Sequence, residues 1–501
     1  MSLSSAFNII SSSFIANAAQ TAVVSKNIAN ANSTGYSRET ANVLTNSYGG
    51  ADVNSVSRAT DSALLDQVNA STSQAAAAQA LSTGLTTLAQ TVSDSATAST
   101  ASGSTQNGSS PSAMLSNLQS ALETYQASPS DSSVGTAVVT AAKNLATSLN
   151  SATTTVQQVR SQADTQIATA VGTVNSLLTQ FTAVNNTIVN GLAAGTDVST
   201  AEDSRDTILT QLSQQVGIST VVSPNGSTSI YTDSGVTLFQ DTPRTVAFTP
   251  TPTLTAGASG NAVTVDGVPI TGASAPMAVQ SGAIAGLANL RDNVAPEYQA
   301  QLDQIAGGLI NAFAETDQST TNTGLPALPG LFTTAGSTSL PATDSMTGIA
   351  GQIIVNKNVD PSQGGNVNLL RDGGISDPGN AAYTYNASGA ASYSGRVGQL
   401  VSQITATRAF GSGTGLSTSS DLADYANSSV SWLQGQNQAA SDAAEYQNSL
   451  ATTATSALSS STGVNMDNEM TNMLNLENSY TTTAKLLTTV NAMFSALLNA
   501  A

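Results

Sequence analysis

Two stretches at opposite ends of this 501-residue sequence carry the same rhythm. Leu3, Phe7, Ile10, Phe14, Thr21, Val24 and Ile28 follow at steps of three, four or seven residues. Met466, Met473, Leu476, Tyr480, Leu487, Val490, Phe494 and Leu497 do the same, and Glu469 and Thr483 are the only polar residues in register. This spacing places side chains on one narrow stripe of a helix. Such a stripe cannot enclose a core, so each helix needs a partner, either the other stretch or a second copy of the chain. Assembly through Leu3, Phe7, Ile10, Phe14, Val24 and Ile28 on one side and the eight C-terminal seam residues on the other is the first expectation.

Charge sharpens it. Met1 to Ser25 contain no Asp, Glu, Lys or Arg, and neither do Leu486 to Ala501. A two-helix coiled coil in water keeps its flanking positions charged, whereas helices polar only through Ser, Thr and Asn suit neighbours on several sides. Both terminal segments are therefore expected to be poorly ordered in the monomer and to become helical on assembly, because ordering costs roughly 1–2 kcal/mol per residue that only a large interface offsets. Met1 to Gln20 lacks the positive start of a secretory signal, the first basic residue being Lys26, and is expected to be an amphipathic helix.

The rest of the composition closes off most chemistry. Cysteine and histidine are both absent, which removes disulfides, thiolate and imidazole metal ligands, and the usual neutral-pH base. No spacing singles out a carboxylate pair, so no catalytic, cofactor-binding or metal-ligating residue is assigned and an enzyme is not expected. The formal charge of −18 is dilute, with 9% charged residues; neither nucleic acid nor membrane is expected as a partner. Only 4% of residues are aromatic, so stability should come from long helices rather than an aromatic core.

The expected fold is mainly α with a β insertion: a rod-like helical bundle or coiled coil built from paired N- and C-terminal segments, plus a small β-rich outer domain. Residues 1–36 and 464–501 form the terminal coiled-coil assembly unit. A discontinuous helical, rod-like domain takes 37–216 and 282–463, with loops and short strands near 320–375. Helices are expected over Thr60 to about Asp94, Ala113 to Ala127, Ser132 to Ile188, Thr200 to Val216, Ile284 to about Phe313 and Leu422 to Leu458. Within the β-rich domain, 217–281, the turns Pro224-Asn225-Gly226 and Asp266-Gly267 between apolar pairs predict two hairpins.

Several segments resemble a known family. Asn27-Ile28-Ala29-Asn30, followed by Gly35, Tyr36 and Arg38, is similar to the N-terminal signature of bacterial flagellar rod, hook and hook-associated proteins. Gly463-Val464-Asn465-Met466-Asp467, with Tyr480, Ala484-Lys485 and Leu497-Leu498, is similar to their C-terminal signature. Arg205-Asp206 within Asp203 to Leu209, and Arg291-Asp292 after Ser281 to Leu287, resemble segments on either side of the β region in the hook-associated proteins of the hook-filament junction. Each Arg-Asp step is expected to be a local surface ion pair worth about 0–1 kcal/mol. One departure is Glu315, where relatives often carry histidine.

The resemblance implies a structural component of the flagellum, forming the junction layer that joins hook to filament and adapts their mechanics. It implies export through the flagellar type III channel, with a chaperone on the C-terminal segment, and a location outside the cell at the hook-filament junction. The implied partners are hook protein, the second junction protein (hook-associated protein 3) and further copies in a helical or ring layer. The β insertion would face outward as a surface knob. The alternatives are a hook or distal-rod protein, which shares the terminal signatures, and a secreted coiled-coil adhesin or translocator.

Overall fold

The computed structural model describes residues 3–94, 108–319, 324–342 and 346–500. Helix α1 (Leu3–Asn30) runs into a turn and a two-stranded ribbon, β1 (Glu39–Thr45) and β2 (Ala51–Arg58), followed by α2 (Ser62–Ala89). Then come α3 (Pro111–Ala127), α4 (Ser132–Ala194) and α5 (Ser199–Gln215). The β region holds β3 (Ile218–Val222), β4 (Thr228–Thr232), β5 (Thr237–Gln240) and β6 (Thr242–Pro243) in one sheet, and β7 (Val246–Ala247), β8 (Thr264–Val265) and β9 (Val268–Pro269) in another. Helices α6 (Ala283–Asn289) and α7 (Ala295–Ala312) follow, then β10 (Phe332–Thr334) paired with β11 (Ile353–Val355), and α8 (Leu369–Asp372) and α9 (Gly395–Ile404). A short ribbon of β12 (Arg408–Ala409) and β13 (Ser419–Ser420) precedes α10 (Leu422–Thr462) and α11 (Met466–Ala500). The architecture is mainly helical with β insertions.

The spine is α4. Its 63 residues extend over roughly 95 Å at the helical rise. Asp131 caps the start by accepting from the Ser133 amide at 2.8 Å, and Gly195 ends it in the left-handed region at φ +70°. Leu145, Leu149, Val156, Val159, Ile167, Val171, Val174 and Leu178 lie buried along one side, as the helical spacing predicts. On the other side Thr136, Thr140, Thr165 and Thr169 each donate to the carbonyl four residues back, so hydroxyls on a threonine-rich face are satisfied by the helix itself.

Both predicted hairpins are present: Ile218–Val222 pairs antiparallel with Thr228–Thr232, and Thr264–Val265 with Val268–Pro269. Asp266 and Gly267 both take positive φ, as a tight two-residue hairpin turn requires. The expectation of a mere surface knob needs correction. Ile230, Phe239, Val246, Val263 and Val265 belong to the same apolar core as α4, and Phe239 meets Phe181 edge-on at 4.9 Å. Short strands with few apolar residues cannot enclose a core alone, so they borrow the helix.

The ribbon β1–β2 lies within the span expected to be helical. Its alternation is weak because it encloses nothing: Val43, Leu44 and Tyr48 are exposed, and the strands rest on α1. The stretch from Ile284 to Phe313 is helical as expected, interrupted by one π-helical turn at Leu290–Val294 that turns Arg291 into the interior. Among the loops expected near 320–375, residues 320–323 and 343–345 lie outside the described residues. Glu315 is fully buried and accepts from the amides of Ile375 and Ser376 at 3.1 and 2.8 Å. Asp303 on α7 accepts from the Gly348 and Ala350 amides, and burial pushes its carboxyl up to about 6.

The segment Ser281 to Leu287 has a steric logic. Gly282 takes φ +87° against Val216, and a Cβ on Gly286 would run into the Ala77 carbonyl of α2. Gly172 on α4, by contrast, faces open space. Replacing Gly286 by Val is expected to lower the unfolding free energy by ~1–3 kcal/mol through overpacking, and Gly172→Ala to raise it by ~0.5–1 kcal/mol. Urea unfolding of the two variants measures both.

Candidate functional site: a paired-helix assembly surface and its buried polar lock

Helices α1 and α11 run antiparallel. The Asn17 amide donates to Ser479 Oγ at 3.1 Å, and the rings of Phe14 and Tyr480 lie 4.2 Å apart. The seam is only partly covered. Val24 is buried; Leu3, Ile10, Phe14, Ile28, Met473, Leu476, Leu487 and Val490 are half-buried; Phe7, Met466, Tyr480, Phe494 and Leu497 are exposed. The most buried positions of α11 are the two polar ones in register, Glu469 at 0% and Thr483 at 9% exposure.

Glu469 explains the N-terminal motif. Asn27 is fully buried at the end of α1 and uses its whole hydrogen-bonding capacity. Its amide nitrogen donates to the Glu39 carbonyl at 2.8 Å and to Glu469 Oε2 at 3.1 Å. Its oxygen accepts from the Tyr36 hydroxyl at 2.8 Å and the Glu39 amide at 2.9 Å. Arg38 Nε then meets Glu469 Oε1 at 2.7 Å. Gly35 makes the connection at φ +80°, with no room for a Cβ beside Thr207 Oγ1. Asn30 folds back on the Lys26 carbonyl, while Ala29 is exposed. Burial, followed by the carboxylates of Glu39, Asp203 and Glu469, holds the Tyr36 hydroxyl far above the usual phenol range.

A second cluster, centred on a residue the sequence did not single out, joins this unit to the helical body. Arg58, at the end of β2, contacts Glu202 at 3.0 Å, Asp203 at 2.9 Å and Asp206 at 2.7 Å, all on α5. Arg58 lies in a mostly polar ribbon, and no sequence spacing connects it to α5. Nearby, Lys26 bridges Glu39 at 2.6 Å and Thr200 at 3.2 Å, and the Ser37 amide donates to Asp203.

The Arg-Asp steps are not surface ion pairs. Arg205 is buried, lies 3.9 Å from Asp206 and donates to the Gly226 carbonyl in the first β hairpin. Asp206 points the other way, to Arg58; burial pushes its carboxyl up even beside that guanidinium. Thus α5 grips the β region with one residue and the terminal unit with the next. Arg291 has a fully buried side chain that contacts Asp292 at 2.9 and 2.7 Å, Asp164 on α4 at 2.5 Å and the Asn261 carbonyl at 2.8 Å. Arg160 stacks a further layer on it, donating to the carbonyls of Arg291, Thr255 and Ala258. These arginines tie the loop between β7 and β8 to the spine, and breaking such a buried pair costs roughly 3–5 kcal/mol. Among the described residues, no group of three or more carboxylates is placed to hold a metal ion.

Residues 103–324 match the family model of the flagellar hook-associated protein FlgK helical domain. Residues 456–500 match that of the flagellar basal body rod FlgEFG protein C-terminal region. Among solved structures, the flagellar hook junction protein FlgK from Burkholderia pseudomallei is similar at 22% identity and a TM-score of 0.41, over 54% of this chain and 47% of that one. No curated protein matches. A pair of terminal helices with few charges, locked at the signature residues and matched at the C-terminal end, defines a protein of the bacterial flagellum. Over residues 103–324 the chain is similar to the helical domain of the FlgK hook-associated proteins.

Asn27→Asp puts an acceptor where the amide donates to Glu39 and Glu469. It is expected to weaken the joint by roughly 2–5 kcal/mol, read as faster hydrogen exchange at Val24–Asn30 and residues 466–473, with α4 unchanged. Adding Glu469→Gln, which restores a donor, should recover part of the protection.

Proposed function

We propose that this protein forms the layer that joins the flagellar hook to the filament and adapts one helical lattice to the other. Its role is mechanical rather than catalytic. The observation that carries this is the Asn27–Glu469–Arg38 lock, which aims two half-covered helices, uncharged at their outer ends, away from a body that has its own core. A body that folds by itself, bearing a helix pair with apolar residues left exposed, suits a subunit that inserts its ends into a tube.

In this role the chain is exported through the flagellar channel and works outside the cell. A chaperone covers Leu476 to Leu498 before export; Tyr480, Leu486, Phe494, Leu497 and Leu498 are exposed in the single chain. Hook protein lies on one side of the layer, hook-associated protein 3 on the other, and further copies lie alongside. The helix pair opens readily in free protein beyond the lock, since among the described residues the buried members of the main apolar core run only from Leu85 to Ala440.

Deleting the gene is expected to leave intact hooks without filaments and flagellin in the medium. Missing hooks would point instead to a hook or rod protein, and normal motility would remove the flagellar role; electron microscopy and immunoblotting of the medium distinguish the three. In hydrogen exchange on the free monomer, amides of Leu3–Phe14 and Leu487–Leu498 should exchange at least a hundredfold faster than those of α4. Protection equal to α4 would contradict the opening of the ends.

A further inference from the structure

Eleven of the thirteen lysines and arginines find a carboxylate or carbonyl within the chain: Lys26, Lys143 and nine arginines do so through contacts on α1, the β1–β2 ribbon, the spine or the loops. The other two, Lys357 and Lys485, make no ion pair among the described residues, and of these only Lys485 lies on the terminal helix pair. It is exposed on α11. No acidic residue follows it, and its antiparallel partner α1 has none, the first acidic residue of the chain being Glu39. The nearest acid on its own helix is Glu477, also exposed, eight residues back. At the helical rise this is about 12 Å along the axis, too far for an ion pair within one chain, and at about 100° per residue the two side chains point some 80° apart around the helix.

We propose that Lys485 of one copy pairs with Glu477 of the adjacent copy, and that this contact sets the lateral register of the terminal helices in the assembled layer. The proposal rests on the assignment of the chain to a layer of identical subunits. Charge complementarity selects the occupant. Beyond Glu477 the paired helices offer a single charge, and burying it among Ser, Thr and Ala side chains without a counter-ion is costly. A second copy brings the missing carboxylate. Because the two charges sit on different sides of α11, each faces a different neighbour, so the contact is head-to-tail and propagates around a ring or helix rather than closing a two-fold dimer. The axial offset between neighbouring α11 helices is then about 12 Å. Leu474, which is 58% exposed, and Met470, which is 52% exposed, lie beside this path and become covered by the same contact.

The test uses isolated hook-filament junctions carrying the native chain. A carbodiimide joins an amine to a carboxylate only when they touch, so the expected product is a ladder of multimers whose linked fragments connect Lys485 to Glu477. A dimer with no higher species, a link from Lys485 to a protein of different mass, or no link at Lys485 would each overturn the proposal. In cells, Lys485→Glu and Glu477→Lys are each expected to lower the fraction of filament-bearing cells at least tenfold, and the double exchange to restore it; single variants that assemble normally would overturn it. Helicity of the purified variants and their amount in the medium separate a folding or export defect, in which case the cross-link on native junctions decides. If cells lacking the gene keep their filaments, the junction role fails. If they lose them, and native junctions yield no Lys485–Glu477 link, only this contact fails.

Discussion

One buried asparagine holds the ends of this protein in place. Asn27 makes four hydrogen bonds with no water available to replace them, and its partners come from the turn after α1, the first strand of the ribbon and the start of α11. An unsatisfied buried amide costs a sizeable share of a domain's net stability, so the four groups are held in one relative arrangement or not at all. Everything functional at the ends depends on this arrangement, because it decides the direction in which the seam helices leave the body.

The body and the ends rest on different physics. The body has a continuous apolar core from Leu85 to Ala440, built along α4 and shared by the helices, the β region and the loops around β10 and β11. The ends meet the body through Arg58, Lys26, Ser37 and their acidic or hydroxyl partners on α5. A polar joint of this kind fixes direction through hydrogen-bond geometry while committing little apolar surface. It leaves the apolar stripe of the terminal pair for contacts made in an assembly.

Much of the fold was legible because long helices announce themselves. The 63-residue spine follows from apolar residues at helical spacing with no internal stop, and the hairpin turns follow from Pro-Asn-Gly and Asp-Gly. The β1–β2 ribbon was not legible, since it rests on α1 and has no apolar alternation of its own. Motif recognition located Asn27, Arg205 and Arg291 without disclosing what they do. The Arg-Asp steps look like surface pairs in one dimension; the partners that bury them, Asp164 for Arg291 and Arg58 for Asp206, lie more than a hundred residues away.

The sequence by itself determined the periodic quantities: which segments are helical, which faces are apolar, and that the two ends carry a narrow apolar seam with few charges. Periodicity is local, so it survives without a fold. Only the tertiary structure decided that Glu469, a polar interruption of that seam, is its most buried position; that Asn27 and Arg38 meet it across more than four hundred residues; and that Lys485 is left without a counter-ion. Those outcomes depend on which side chains the folded chain brings within about 3 Å of one another, and no local pattern encodes that distance.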